Sequence, residues 1–138
     1  MMQDILAQLP HRPPFLLVDR VIAREPGTRV VAEKMLTLGD PCFQGHFEGN
    51  PVLPGVLMLE MLAQAAGFLE AGSLQGQRIF LAGVQEARFK AAAFPGDRLE
   101  LEVRPEAAFG GVSKVRGEIR RQGQTLCTAT LLLKRGGP

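Results

Sequence analysis

Only two side chains in this sequence titrate near neutral pH without special tuning: the two histidines, His11 and His46. His46 sits in the run Cys42-Phe43-Gln44-Gly45-His46-Phe47-Glu48-Gly49-Asn50-Pro51. Glycines there allow tight backbone turns and phenylalanines limit water, a setting that suits a neutral imidazole acting as a base. A hydrogen-bonded structural histidine is the competing reading. His11 lies in Pro10-His11-Arg12-Pro13-Pro14, a loop position where Arg12 should depress the imidazole pKa, and reads as structural or as part of a substrate rim.

The carboxylate of interest is Glu60, fourteen residues after His46 and alone among charges in the apolar run from Val52 to Leu69. Glu60 and Gln64 are spaced i and i+4, so a helix places them on one face, one turn apart. Burial should disfavour the ionised carboxylate and raise its pKa, leaving a protonated group able to act as a general acid. Alternatively, Glu60 points into a subunit interface and is merely held by Gln64. Pro54-Gly55 opens the same helix, and its free N–H groups suit a developing oxyanion, although every buried helix has such a start. Cys42 and His46 have a metal-like spacing but no second pair to complete a site. A Cys42–His46 nucleophile depends on geometry that spacing does not settle. Cys127, among Leu126, Ala129 and Leu131, reads as core.

These residues must be positioned by recognisable elements. A short helix is expected over Asp4–Leu9, capped by Asp4 and stopped by Pro10. Strands are expected over Phe15–Ile22 and Arg29–Leu36, and a long loop over Thr37–Pro54. Val56–Leu69 predicts a helix apolar on all sides, hence buried on all sides, with sheet wrapped around it. Ile79–Lys90 reads as one long strand or a pair kinked at Gly83, and Phe94-Pro95-Gly96-Asp97 as a turn. Leu99, Leu101 and Val103 alternate with Glu100, Glu102 and Arg104, the pattern of an antiparallel strand with one face buried. Val112–Arg121 and Gln124–Lys134 flank Gln122-Gly123 as a hairpin. The fold class is α+β, one domain over residues 1–138.

Composition narrows the function. The 138 residues carry 16 Lys+Arg and 14 Asp+Glu, a net charge of +2, with no basic run and neither Trp nor Tyr, which disfavours a nucleic-acid module. Two cysteines are too few for a disulfide scaffold, so free thiols in a reducing cytoplasm are expected. The first residues do not read as a signal peptide. Glu60 and Gln64 argue against a membrane span from Val52 to Leu69.

The run Phe43-Gln44-Gly45-His46-Phe47-Glu48-Gly49-Asn50-Pro51-Val52-Leu53-Pro54-Gly55-Val56-Leu57-Met58-Leu59-Glu60-Met61-Leu62-Ala63-Gln64-Ala65 closely resembles the signature of the 3-hydroxyacyl-[acyl-carrier-protein] dehydratases of bacterial type II fatty-acid synthesis. Leu9-Pro10-His11-Arg12-Pro13-Pro14-Phe15-Leu16-Leu17-Val18-Asp19-Arg20-Val21, Leu81-Ala82-Gly83-Val84-Gln85-Glu86-Ala87-Arg88-Phe89-Lys90 and Pro95-Gly96-Asp97 resemble the same family, in the expected order. The resemblance implies a hotdog fold, an antiparallel β-sheet wrapped around a long central α-helix. It implies homodimers that assemble as hexamers, a trimer of dimers, and an acyl carrier protein bearing a phosphopantetheine thioester as partner. By the same resemblance His46 and Glu60 are catalytic and come from different subunits. The Gly55 amide polarises the thioester carbonyl, and Gln64 orients Glu60. No metal, flavin or nicotinamide is implied. Phe43, Phe68 and Phe89 are expected to line an acyl slot, and Arg88, Lys90 and Arg98 to meet the acidic carrier. Glu48, Cys42 and Pro13 depart from the family pattern, which bears on chain-length preference more than on chemistry. A thioesterase of the same fold and a non-catalytic acyl-binding subunit of a heteromer are the alternatives.

Overall fold

The alternation at Leu99, Leu101 and Val103 organises the sheet. In the computed structural model, which describes residues 2–136, these three side chains are fully buried while Glu100 and Glu102 face outward to Arg29 and Arg120. Met1, Gly137 and Pro138, the ends of the expected 1–138 domain, lie outside the described residues. The strands are β1 (Arg20–Glu25), β2 (Arg29–Met35), β3 (Ile79–Phe89), β4 (Arg98–Phe109), β5 (Val112–Arg121) and β6 (Gln124–Arg135). They form one six-stranded sheet in the order β1-β2-β4-β5-β6-β3, and every neighbouring pair is antiparallel. The register sets Ala32 opposite Leu101 and Leu101 opposite Ile119, so successive strands present their apolar side chains on one face.

That face is covered by helix α3 (Gly55–Ala66), continued by a 3₁₀ turn at Gly67–Leu69. Met58, Met61, Leu62 and Ala65 are buried against the sheet. Gly117 of β5 makes the approach possible: a Cβ there would lie 2.9 Å from both terminal methyls of Leu62. An antiparallel sheet wrapped around a central helix is the hotdog fold.

Four expectations are corrected. The strand expected over Phe15–Ile22 begins only at Arg20, because the backbone of Phe15 and Leu17 is bonded by the Gln64 side chain instead of a neighbouring strand. The Thr37–Pro54 loop contains a short helix, α2 (Cys42–Gly45). Finally, α3 is not buried on all sides: Val56 is 71% exposed, and Leu57, Leu59 and Glu60 are only half-buried. The sheet covers one side of the helix and leaves Val56 open, with Glu60 partly covered one turn further on. Asp4 falls inside helix α1 (Met2–Gln8) rather than ahead of it.

Candidate active site

His46 terminates α2. Phe43, expected against substrate, is 4% exposed and roots α2 in the core. Beyond the histidine, Phe47 and Asn50 exchange backbone hydrogen bonds, Val52 N–H bonds the His46 carbonyl, and Leu53 N–H bonds Ala93. The loop is therefore held at both ends. The imidazole Nδ1 lies 2.8 Å from the Val52 carbonyl oxygen. Because a carbonyl can only accept, Nδ1 carries the hydrogen and donates it, and the neutral ring keeps its lone pair on Nε2. The Phe47 ring stacks on the imidazole with centroids 4.0 Å apart.

Glu60 and Gln64 are one turn apart on α3. Gln64 is completely buried, and each of its amide atoms is used. Its Nε2 donates to Glu60 Oε2 at 2.9 Å and to the Phe15 carbonyl at 2.8 Å, and its Oε1 accepts from Leu17 N–H at 2.7 Å. Burial pushes the Glu60 pKa above the ordinary carboxylate value, with the Gln64 hydrogen bond partly opposing it. His11 Nε2 approaches the same Oε2 to 3.6 Å. Burial, not Arg12, lowers the His11 pKa. The Arg12 guanidinium is turned onto the carbonyls of Leu6, Leu9 and His11. Gly55 is the first residue of α3, so its N–H has no carbonyl one turn back to bond. The Phe89 ring lies against it: a Cβ at Gly55 would be 3.1 Å from the nearest ring carbon.

The chain as a whole has relatives among known proteins. Residues 9–130 match the family model described as a FabA-like domain. The 3-hydroxyacyl-[acyl-carrier-protein] dehydratase FabZ of Roseiflexus sp. (strain RS-1) is 45% identical over 132 residues, 94% of this chain and 92% of that protein. The FabZ of Anaeromyxobacter sp. (strain K) is 50% identical over 129 residues, 90% of this chain and 83% of that protein. The chain belongs to the FabZ-type dehydratases. In fold, this FabZ-type chain is similar to the dehydratase heterocomplex ApeI:P from Xenorhabdus doucetiae, with a TM-score of 0.81 over 96% of this chain and 91% of that one, at 24% identity.

Within one FabZ-type subunit the candidate residues form two groups. Glu60, Gln64 and His11 cluster on one side, and His46 has partners of its own in Val52 and Phe47. Among the described residues no hydrogen bond or ion pair joins His46 to Glu60. A cavity of about 460 Å³ between the amino-terminal loop and α3 is lined by Pro13, Phe15, Cys42, Leu57 and Met61 among others, so two of the three departures from the family pattern border one cavity. Cys42 is half-buried, and burial followed by the Asp40 carboxylate raises its thiol pKa. A Cys42 thiolate nucleophile is therefore disfavoured. Cys127 is fully buried, as expected of core. Arg88 and Lys90 are exposed at the end of β3, while Arg98 is engaged by Glu33 at 3.4 Å. Sequence reasoning left out the His11–Glu60 approach. The only signal for it was the prolines around His11, which forbid regular structure and hold that segment as a loop.

Proposed function

We propose that this chain dehydrates 3-hydroxyacyl-[acyl-carrier-protein] to trans-2-enoyl-[acyl-carrier-protein] in fatty acid biosynthesis. His46 is the base and Glu60 the acid, supplied by different subunits of a homodimer. One observation carries the reading: the protein prepares the two groups in opposite senses. The Val52 carbonyl takes the His46 Nδ1–H, so the neutral ring presents its lone pair at Nε2, and Glu60 is held toward its neutral form by burial.

The reaction removes a proton from C2 and hydroxide from C3 of a thioester. Both are difficult in water, since the C2 carbanion must delocalise into the carbonyl and hydroxide leaves poorly. His46 Nε2 takes the C2 proton as the thioester oxygen gains charge. The Gly55 N–H, at the positive end of the α3 dipole, receives that oxygen, a contribution of about 3 kcal/mol for a single donor. Glu60 gives its proton to the C3 hydroxyl, so the C–O bond breaks to release water. The imidazolium and carboxylate left behind re-equilibrate through solvent. Acid and base catalysis each contribute about 10² to 10⁴ in rate.

A shared site accounts for the open surface. β3 is an edge strand eleven residues long, bonded only to β6, with Phe80, Leu81, Val84 and Phe89 each 40% exposed or more. A long apolar edge is a template for pairing with another chain. A second copy there extends the sheet, and the helix face with Val56 open and Glu60 one turn on meets the partner's loop. Dimers then assemble three at a time into a hexamer. Arg88 and Lys90 meet the acidic carrier protein and its phosphopantetheine arm, and Phe89, packed against Gly55, supports the acyl end of the site. The enzyme works in the cytoplasm, consistent with two free thiols.

The test is hydration of a 2-enoyl thioester, followed by loss of enoyl absorbance, with purified His46→Ala and Glu60→Gln. Each variant is expected to fold and to lose at least about 10²-fold in kcat. Normal turnover in either, or release of free thiol in place of hydration, overturns the assignment.

A further inference from the structure

The loop that carries His11 is fixed from both sides. Arg12 bonds the carbonyls of Leu6, Leu9 and His11 at 2.7 to 3.0 Å, and Gln64 bonds the carbonyl of Phe15 and the N–H of Leu17. The imidazole between these anchors faces Glu60, with side chains of both residues mostly covered, 18% and 22% exposed. Its Nδ1 is buried and has no hydrogen-bond partner. A hydrogen on that nitrogen would be a buried donor with no acceptor, which costs about 1–3 kcal/mol. The neutral ring therefore carries its hydrogen on Nε2, the atom 3.6 Å from Glu60 Oε2. That separation is slightly beyond a hydrogen bond, and catalytic contacts of this kind shorten once substrate is bound.

Oε2 is also the oxygen that accepts from Gln64. Two N–H donors aimed at one carboxyl oxygen leave no room for a proton there. Among the described residues Oε1 has no partner, and no other charged side chain comes within ion-pair distance of Glu60. Arg12, the nearest cation in sequence to His11, is occupied by backbone carbonyls.

We propose that His11 is a positioning residue for Glu60: its neutral Nε2–H, together with Gln64, occupies Oε2 and assigns the transferable proton to Oε1. This rests on Glu60 being the acid of the dehydration. Burial of His11, which disfavours the imidazolium, supports the neutral form.

The experiment compares His11→Leu, which keeps bulk and removes the donor, with His11→Gln, which restores an N–H at similar reach. Glu60→Gln is run beside them in the full-length protein. Enoyl hydration by His11→Leu is expected to lose about tenfold or more in kcat with little change in KM, as a displaced catalytic group does. Its acid limb moves to higher pH, because hydration runs with Glu60 ionised and a donor to the carboxylate favours that form. His11→Gln is expected to recover most of the rate and the original limb. Long-range proton–nitrogen spectra of the wild type should show the His11 ring hydrogen on Nε2. A ring hydrogen on Nδ1, or a well-folded His11→Leu with wild-type kcat and pH limb, overturns the inference. So does a His11→Gln as impaired as His11→Leu. Normal turnover in Glu60→Gln defeats the underlying assignment instead, whereas an inactive Glu60→Gln beside an unimpaired His11→Leu defeats only the role of His11.

Discussion

Glu60 is a group whose usefulness and whose cost have the same origin. Burial raises its pKa, so the neutral acid survives above the pH at which an ordinary carboxylate would have ionised. The rate of dehydration should therefore fall as Glu60 ionises, at a pH above the usual carboxylate range, whereas hydration, the reverse reaction, needs Glu60 ionised and should rise through the same pH. The pH dependence of kcat/KM measures this directly. Stability follows with the opposite benefit. The folded protein binds the Glu60 proton more tightly than the unfolded chain does, so stability contributed at this site declines as pH rises from the ordinary carboxylate value through the raised one. Above that window the penalty is fully present. Glu60→Gln, neutral at every pH, should melt higher than the wild type at pH 8 and show little difference at pH 4. A melting-temperature difference that does not grow with pH contradicts the burial of a titrating carboxyl.

At the scale of elements, Gln64 links the central helix to the amino-terminal segment. Its buried amide replaces strand pairing for Phe15 and Leu17 and at the same time orients Glu60. Gln64→Leu should leave Leu17 N–H and the Phe15 carbonyl without partners, costing about 1–3 kcal/mol for each buried group left unsatisfied. Chemical denaturation reads this as a lower midpoint, and kcat should fall with it. A variant that loses activity at unchanged stability would separate the two roles assigned to Gln64. The same residue explains what the sequence concealed. The i, i+4 spacing exposed the Glu60–Gln64 pair, but Phe15–Val18 has strand-forming side chains, and nothing local says that a glutamine 47 residues away will take its backbone bonds. The sheet was legible from Arg98 to Lys134, because period-two burial and turns at Gly110-Gly111 and Gln122-Gly123 are local signals. Helix α2 was hidden in a stretch rich in Gly and Pro, where four residues of helix leave no periodicity. His11 was visible as a residue but not as a neighbour of Glu60, since that approach depends on how a proline-rich loop packs.

At the scale of the whole molecule, the decisive feature is incompleteness. Apolarity around α3 pointed to a helix covered on all sides, yet one subunit covers only part of it and leaves Val56 open beside Glu60. β3 adds a second uncovered surface on the same fold. Val84→Lys places a charge in the middle of that edge, a device that opposes strand pairing. The variant should remain folded by circular dichroism, scatter light as a species near 15.0 kDa, and lose activity. A folded monomer with full turnover contradicts a site built from two subunits.

The most direct measurement is complementation between the two inactive variants. His46→Ala retains Glu60, and Glu60→Gln retains His46. When the two are unfolded together and refolded as mixed dimers, one of the two sites in each mixed pair combines intact His46 from one subunit with intact Glu60 from the other. Random pairing of equal amounts should then restore about a quarter of wild-type activity, while each variant refolded alone stays inactive. Mixed dimers that form, as shown by differently tagged subunits purifying together, and yet remain inactive contradict the shared site, because every site built within one chain would still lack a catalytic group.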